Sequence, residues 1–387
     1  MSYLDHQLYS IQLPGRVLAG PGSIESLREL LGGAGHVLLL ADQILLKLGL
    51  LNTAMDLLKE ERILYTIVTD IPSEPLAGQV QEILEICRLK KCDCVVAIGG
   101  GSVLDSAKIV SLLIGSEKSV YDLLADPLAE KKRNKGLILI PTTAGTGSEA
   151  TPNAIVTEED RELKIGIVNP AFIPDVVILD PTFTLSLPAS VTAATGMDAL
   201  AHALESYISK KSNPICHTYA IEAMRLIFRY LPVAYAQPQN MEARHAMLYA
   251  SFLGGLCIAC SSTTAVHALA YPLGGKYHIP HGVSNAMLLP HVMDFNRDVI
   301  GEELKKVAVN CLGSDTENPQ KASQEVIDRL YALSAGMKIP QDLKQYGVKA
   351  ADLEQLAKDA FTVRRLLDNN PKDMTVAQIR AIYEKLI

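Results

Sequence analysis

The chain has 387 residues, more than a single compact core usually holds, so two domains are expected. Hydrophobic residues make up 48% and charged residues 20%, which is typical of a folded globular protein and excludes a disordered one. The net charge of −7, without a concentrated basic face, argues against nucleic acids and anionic membranes as partners and favours small molecules.

The chain shows no sign of secretion or membrane insertion. Its first residues, MSYLDHQLYS, lack the basic segment and apolar core of a secretory signal, and we expect no apolar run of membrane-spanning length. Seven cysteines, an odd number, do not form a disulfide framework. Cys257 and Cys260 form an isolated CxxC in an apolar stretch, which favours buried packing over a redox or zinc role. We expect a cytoplasmic protein with free thiols.

The first half of the chain alternates short apolar runs with amphipathic segments, as in a parallel sheet covered by helices. Residues 153–168 differ, because two apolar stretches flank the polar run Glu158 to Glu162, which is typical of a hairpin. The sequence therefore predicts an α/β domain with an antiparallel excursion. The predicted strands of its sheet are residues 36–42, 63–70, 92–100, 135–142 and 175–180.

Two loops after predicted strands are candidates for phosphate binding. The first, Gly99 to Ser102, joins a strand to a helical pattern; its glycines let the backbone approach a pyrophosphate, and the helix N-terminus offers free amides. It departs from GxGxxG, and an ordinary strand-to-helix turn is the alternative. The second, Thr142 to Ser148, alternates hydroxyls and glycines that can bind phosphate or ribose oxygens, or it is an ordinary polar loop.

Asp42 ends the strand 36–42. A carboxylate at that point accepts hydrogen bonds from the ribose hydroxyls of adenosine and repels a 2′-phosphate, which favours NAD over NADP. Alternatively, Asp42 caps the next helix.

After Asp180 the apolar residues follow helical spacing, so the second half is predicted to be helical, with a domain boundary near residue 182. Pro188 suits an early position of the first helix.

Two pairs of residues in this half suggest a metal site. Asp198 and His202 are four apart and share one helical face, so they can bind one ion from adjacent turns. His267 and His281 would add two imidazoles, which suits ferrous iron or zinc with a further position open for a water or alkoxide oxygen. Each histidine alone could equally be a hydrogen-bonded core or surface residue.

Four segments together resemble the iron-containing (group III) alcohol dehydrogenases: GGGSVLDSAK (99–108), PTTAGTGSE (141–149), TGMDALAHALE, and HALAYPLGG to HIPHG. They occur in the order and spacing of that family over nearly the whole chain. The resemblance implies a Rossmann-like nucleotide-binding α/β domain, residues 1–182, and an all-helical metal- and substrate-binding domain, residues 183–387. This is the architecture of the dehydroquinate-synthase-like superfamily.

The resemblance also implies site residues by matching positions. The metal ligands would be Asp198, His202, His267 and His281. The residues that contact the cofactor NAD would be Asp42, Gly100, Gly101, Ser102, Asp105, Thr142, Thr146, Asn153, Ile155 and Lys164. Within the segment GGGSVLDSAK we expect Asp105 to organise the loop and Lys108 to be structural.

One position departs from the family. Many members carry a second histidine four residues after the third ligand, where this chain has Tyr271. A tyrosine with a pKa of about 10 is a poor base near neutrality, so Tyr271 either relays a proton less well or only shapes the pocket. His278 is the other candidate for a catalytic proton relay.

The implied reaction is hydride transfer between nicotinamide and a small primary alcohol, a diol or a hydroxy acid, assisted by Fe²⁺ or Zn²⁺. A hydroxy acid would need a cationic partner, which the sequence does not identify. The enzyme is expected to be a homodimer or larger homo-oligomer. One alternative is a zinc- and NAD-dependent lyase resembling dehydroquinate synthase, which would need a basic pocket; the other is a metal-dependent hydrolase, which would not need the phosphate loops.

Overall fold

The structure, a computed structural model, describes residues 8–159 and 163–387. It divides into two compact units. The sheet unit holds residues 12–143 and 147–185. The helical unit holds residues 186–387 with the short segment 144–146 and the described part of the first eleven residues.

The sheet unit is built on a parallel sheet with the strand order β1-β8-β5-β4-β2-β3, beside a separate antiparallel pair β6-β7. The strands are β1 Arg16–Ala19, β2 His36–Ala41, β3 Leu64–Val68, β4 Cys94–Gly99, β5 Gly136–Pro141, β6 Asn153–Glu158, β7 Leu163–Val168 and β8 Val176–Leu179. The helices of this unit are α1 Leu27–Leu30, α2 Gln43–Lys47, α3 Asn52–Glu60, α4 Ala77–Lys90, α5 Gly101–Leu113 and α6 Val120–Ala125.

Both faces of the parallel sheet are covered, which is why its central strands are continuous apolar runs. Successive side chains point to opposite faces. In β2, Leu38 and Leu40 belong to the core shared with α4 and α5. Val37 and Leu39 belong to the second core, on the opposite face.

The predicted α/β class, the five predicted strands and the hairpin are confirmed. In the hairpin Asn153 pairs with Val168 and Glu158 with Leu163; residues 160–162 of the predicted polar turn lie outside the described part. The sequence missed β1, because four residues paired to β8 at the sheet edge carry too short a pattern to be recognised.

The helical unit consists of packed helices, as predicted. They are α7 Ala189–Ile208, α8 Pro214–Ala236, α9 Met241–Cys260, α10 Ala265–Tyr277, α11 His281–Asn296, α12 Gly301–Val307, α13 Pro319–Gly336, α14 Leu353–Phe361, α15 Arg364–Leu367 and α16 Val376–Glu384. A π-helical turn, Ala308–Leu312, follows α12.

The change from sheet to helix lies close to the boundary predicted near residue 182, since the sheet unit ends at Leu185. Pro188 occupies the N-cap of α7, immediately before the first helical residue and not within the helix. The grouping of residues 144–146 with the helical unit was not predicted.

The expectation that no apolar run reaches membrane-spanning length needs one correction. Helix α9 has 20 residues and enough apolar character to cross a membrane. Of its most apolar window, however, 67% is buried inside the protein, as in the core helix of a globular fold. The seven cysteines are all free, and Cys257 and Cys260 are buried on this helix.

Candidate metal centre and nucleotide loops

Three helices of the helical unit bring one carboxylate and two imidazoles together. Asp198 lies in the middle of α7, His267 in the first turn of α10, and His281 at the start of α11. Their candidate ligand atoms all lie within 4.8 Å of one another. The side chain of Asp198 is almost fully buried, whereas 46% of the His281 side chain is exposed, so solvent reaches the cluster from the His281 side.

The fourth predicted ligand, His202, is adjacent to this group but not part of its tightest core. One turn beyond Asp198, its Nε2 is 3.7 Å from Oδ1 of Asp198, and its ring stacks on that of His267 with centroids 4.7 Å apart. Its Nδ1 lies 3.1 Å from the carbonyl oxygen of Gly145. Because a carbonyl only accepts, Nδ1 carries the proton, which leaves the Nε2 lone pair free on the side of Asp198.

No residue larger than glycine fits at position 145. A Cβ there would lie 2.6 Å from Cβ of Thr195 on α7, so the backbone of the loop rests directly on the helix. This close approach directs the carbonyl oxygen of Gly145 toward His202. A glycine that the sequence suggested for phosphate binding therefore orients a candidate metal ligand.

The side-chain amide of Asn285 lies where the ligand atoms converge. Its Nδ2 is 2.7 Å from Oδ1 of Asp198 and 3.2 Å from Nε2 of both His267 and His281. An amide nitrogen has two hydrogens for these three acceptors, and the buried Oδ1 of Asn285 has no hydrogen-bond partner among the described residues. A divalent ion accepts lone pairs from all three ligands, so the donor set fits a metal better than it fits the amide.

The electrostatics of the cluster favour the protonation states that bind metals. Burial acts to raise the pKa of Asp198, but the neighbouring imidazoles of His202, His281 and His267 outweigh it and hold that pKa below its usual value. Burial and the two other imidazoles hold the pKa of His267 well below its usual range. Near neutral pH the cluster therefore presents a carboxylate and a neutral imidazole, the forms that act as ligands.

The two predicted catalytic residues are placed differently. Tyr271 lies on α10 one turn after His267, half-buried, with its ring 6.2 Å from that of His281. His278 ends α10 in a left-handed conformation with its side chain exposed. Among residues 8–159 and 163–387, His278 makes no hydrogen bond or ring contact with the four predicted ligands.

A cation lies beside Tyr271 that the sequence did not reveal. Burial raises the pKa of Tyr271, and the charge of Arg365 opposes the rise. The same charge helps to lower the pKa of His267. Arg365 lies on α15, which packs against α10. No carboxylate of the described residues forms an ion pair with Arg365, unlike its neighbour Arg364, which pairs with Asp368.

Two further residues of the centre were missed, although the spacing offered a signal. Glu205 follows Asp198 and His202 on α7 at positions i, i+4 and i+7, which share one helical face. Asn285 is four residues after His281 on α11 and so lies on the same face. Arg365, in contrast, is far along the chain, and only the packing of α15 on α10 brings it near.

In the sheet unit, the strand–glycine–helix arrangement is present as predicted. β4 ends at Gly99, and α5 begins at Gly101. Oδ2 of Asp42 accepts a hydrogen bond of 3.0 Å from the backbone N–H of Gly100. Asp42 occupies the N-cap position of α2 but makes no side-chain capping bond, so capping does not explain it.

Gly99 and Gly100 differ in whether the packing of the protein requires a glycine at that position. A Cβ at Gly99 would lie 2.7 Å from Val103 and 2.9 Å from Oδ2 of Asp42, so packing requires glycine there. A Cβ at Gly100 would lie 3.7 Å from Thr143 and 4.0 Å from Oδ2 of Asp42, which are ordinary contacts. The protein itself does not require glycine at 100, which is consistent with a ligand approaching the backbone closely.

Asp105 organises the surrounding loops. Its Oδ1 accepts a hydrogen bond from Ser148, and its Oδ2 accepts one of 2.9 Å from the backbone N–H of Ile155. The fully buried ammonium of Lys108 donates to Oγ of Ser148 at 2.8 Å and to the carbonyl of Asn153 at 2.7 Å. Both side chains thus join α5 to the turn at Ser148 and to β6.

The other predicted cofactor contacts lie around the same end of the sheet or on the hairpin. The N–H of Thr142 donates to the carbonyl of Gly99 at 3.0 Å and thereby joins the two loops. Ser102 lies in the first turn of α5, whereas Lys164, on β7, is exposed and paired with Glu74. Thr146 belongs to the loop segment that groups with the helical unit. Contact of these residues with a nucleotide stays a prediction.

Comparison with known proteins places this architecture in a known group. Residues 14–181 match the family model described as iron-containing alcohol dehydrogenase. Residues 192–387 match the model described as the C-terminal part of the Fe-containing alcohol dehydrogenase family.

Individual relatives agree over most of their length. Long-chain-alcohol dehydrogenase 1 of Geobacillus thermodenitrificans is 39% identical over 91% of this chain and 89% of its own. A 1,3-propanediol oxidoreductase crystal structure superposes with a TM-score of 0.92 at 33% identity, covering 98% of this chain and 100% of that one. A sulfoacetaldehyde reductase from Bifidobacterium kashiwanohense, solved in complex with NAD⁺, has a TM-score of 0.90 at 29% identity, covering 98% of this chain and 99% of that one.

Proposed function

Because the chain belongs to the iron-containing alcohol dehydrogenase family, we propose that it interconverts a small primary alcohol and its aldehyde by hydride transfer to and from NAD, with a divalent metal, Fe²⁺ or Zn²⁺. That it is an alcohol dehydrogenase of this family follows from the match over both halves of the chain. The metal, the nucleotide and the substrate are our proposal.

The convergence of Asp198, His267 and His281 on the amide nitrogen of Asn285 carries the proposal. We assign these three residues and His202 as the metal ligands. When bound, the ion supplies a Lewis acid toward the substrate oxygen and the nicotinamide a hydride acceptor, which together convert an alcohol to an aldehyde. The exposed edge of His281 leaves the cluster open to a small substrate.

The residues of the sheet unit would hold the nucleotide. The N-terminus of α5, with Gly100, Gly101 and Ser102, offers backbone and hydroxyl donors to the pyrophosphate. Asp42 would accept hydrogen bonds from ribose hydroxyls and repel a 2′-phosphate, so we propose NAD as the cofactor. Asp105 would keep the loops in register through Ser148 and Ile155.

Tyr271 would shape the substrate pocket and donate a hydrogen bond. Its pKa is raised by burial, so the hydroxyl keeps its proton near neutrality and is a poor general base. His278 stays a second candidate for proton transfer to solvent, although it is exposed at the end of α10.

One observation favours a second class of substrate. The guanidinium of Arg365, which forms no ion pair with a carboxylate of the described residues, would bind the carboxylate of a hydroxy acid, or another anionic end of the substrate. We therefore include hydroxy acids with small alcohols and diols in the proposed range. A cytoplasmic homodimer or larger homo-oligomer is proposed on the resemblance to the family alone.

The experiment is metal analysis of anaerobically purified protein, followed by a screen of alcohols, diols and hydroxy acids with NAD. We expect one divalent ion per chain and NADH formation that chelators abolish and metal restores. Asp198→Asn should lose both metal and activity, while Asp298→Asn, which only breaks an exposed pair with Lys372, should keep both. A metal-loaded protein that binds no NADH and oxidises none of these substrates would favour the hydrolase or lyase alternative.

A further inference from the structure

Glu205 is completely buried, and its hydrogen-bond partners among the described residues are N–H and O–H donors and a histidine nitrogen. Its Oε1 accepts from the backbone N–H of Thr264 at 3.0 Å, from the hydroxyl of Thr264 at 2.7 Å, and from the backbone N–H of Val266 at 2.7 Å. Its Oε2 faces Nδ1 of His267 in a short contact. These bonds anchor the carboxylate to the N-terminal turn of α10, on which His267 lies.

The contacts of His267 define which nitrogen carries its proton. As a carboxylate, Glu205 only accepts, so Nδ1 donates to it; burial raises the pKa of Glu205 to about 7, and the three hydrogen bonds from Thr264 and Val266 oppose that rise. On the other side of the ring, Nε2 lies 3.2 Å from the amide nitrogen of Asn285, which is a donor. A neutral imidazole has one donor and one acceptor nitrogen, so a proton on Nδ1 and a lone pair on Nε2 suit both neighbours.

We propose that Glu205 is a positioning residue that holds His267 in the Nδ1–H tautomer, with the Nε2 lone pair directed at the metal position beside Asp198. The inference rests on the proposed metal role of His267. Glu205 would not touch substrate, cofactor or metal; it would act through the ring of His267 alone. Carboxylates that accept from metal-binding histidines fix the ring orientation and raise the basicity of the ligand.

A comparison with His202 shows why the tautomer of His267 depends on Glu205. Its Nδ1 is held by a backbone carbonyl, that of Gly145, which no side-chain substitution can change into a donor. The tautomer of His267, in contrast, depends on a side chain. Replacing Glu205 by glutamine keeps the size of the residue and can keep the bonds of Thr264 and Val266 to Oε1. The new amide N–H₂ would then face Nδ1 of His267 and donate to it, which moves the imidazole proton to Nε2 and blocks the lone pair needed for the metal.

The test compares wild type, Glu205→Gln and Ser206→Ala. Ser206 is the next residue on α7 and is buried, and its hydroxyl oxygen has no hydrogen-bond partner in the part of the chain that the structure describes, so it controls for a polar change in the same place. The dissociation constant for Co²⁺ or Zn²⁺ is measured by competition with a chelator. We expect it to rise about 10- to 100-fold in Glu205→Gln and to stay unchanged in Ser206→Ala. NADH affinity should not change in either.

A second readout examines the tautomer directly. The chain has nine histidines, so long-range ¹⁵N–¹H spectra of metal-free protein with labelled histidine are tractable, with His267→Asn identifying the signal. We expect Nδ1–H in wild type and Nε2–H in Glu205→Gln. Even if Glu205→Gln fails to fold, an Nε2–H tautomer of His267 in the wild type overturns the proposal.

Unchanged metal affinity with an unchanged tautomer in folded Glu205→Gln also overturns it. A wild type that binds no divalent ion at all contradicts the proposed function instead, and the wild-type spectrum still decides whether Glu205 sets the tautomer. The two failures are therefore distinguishable.

Discussion

Nδ1 of His202 lies 3.1 Å from the carbonyl oxygen of Gly145, a residue 57 positions earlier in the chain. The bond exists because the backbone of Gly145 packs directly against Thr195 on α7, at a distance that leaves no room for a Cβ. A loop that follows β5 thus orients a candidate metal ligand on a helix.

Gly145→Ala should therefore weaken metal binding without touching a ligand. The added Cβ would overlap Thr195, displace the carbonyl and release His202, at a cost of about 1–3 kcal/mol in stability and about tenfold in metal affinity. Thermal unfolding and metal titration measure both effects. Gly275→Ala is the matched control, because a Cβ at Gly275 meets nothing within 4 Å; equal behaviour of the two variants would contradict the prediction.

Asp42 should decide between the two nicotinamide nucleotides. Asp42→Asn removes the charge that repels a 2′-phosphate, so we expect KM for NADP to fall roughly tenfold relative to KM for NAD. Steady-state kinetics with both nucleotides measure this ratio. Asp56→Asn, on the exposed surface of α3, should leave the ratio unchanged. An unaltered ratio in Asp42→Asn would remove the basis for proposing NAD over NADP.

Arg365 should determine whether anionic substrates are accepted. Arg365→Leu is expected to raise KM for hydroxy acids by about tenfold or more while leaving KM for uncharged alcohols within about twofold. The adjacent Arg364 is already paired with Asp368 and lies over Phe361, so Arg364→Leu should affect neither substrate class. Equal loss of activity on charged and uncharged substrates in Arg365→Leu would point to a structural role.

Lys108 should be a large contributor to stability. Lys108→Met would fill the same volume but leave the carbonyl of Asn153, the hydroxyl of Ser148 and the carboxylate of Asp105 without their buried cation, at a cost of about 3–5 kcal/mol. Thermal unfolding of the metal-free protein measures the loss. Lys59→Met, at an exposed pair with Asp56, should leave stability essentially unchanged. A similar small change in Lys108→Met would be evidence against the buried network.

His291 should make the protein less stable in mild acid. Burial lowers its pKa from 6.5 to about 4, and its Nδ1 lies 3.0 Å from the hydroxyl of Tyr331. Between those pH values the unfolded chain binds a proton that the native protein does not, so stability is complete above pH 6.5 and falls as the pH drops to about 4. The total loss is about 2 kcal/mol after solvent screening.

His291→Gln keeps an acceptor for Tyr331 but does not titrate. Urea unfolding at a series of pH values should therefore show a shallower decline for this variant across the same window. Parallel curves for the variant and wild type would show that His291 is protonated alike in the folded and unfolded states.

Local patterns in the sequence predicted most of the architecture, although not the edge strand β1. Apolar runs predict the buried strands of a parallel sheet, because both faces of each central strand are covered, and helical spacing predicts the second half of the chain. The spacing of Asp198 and His202 likewise predicts a shared helical face, since the geometry of a helix is local. The glycines before α5 were recognised for the same reason.

Only the tertiary structure decided which further residues lie at the candidate metal centre and which atoms they contact. Arg365 and Gly145 are remote in sequence from the residues that they affect, and no periodicity connects them. The roles of Glu205 and Asn285 depend on which atoms of His267 they face, which is set by the packing of three helices. Periodicity assigns a residue to a face, but hydrogen bonds and the location of a proton require distances in three dimensions, which short-range patterns do not contain.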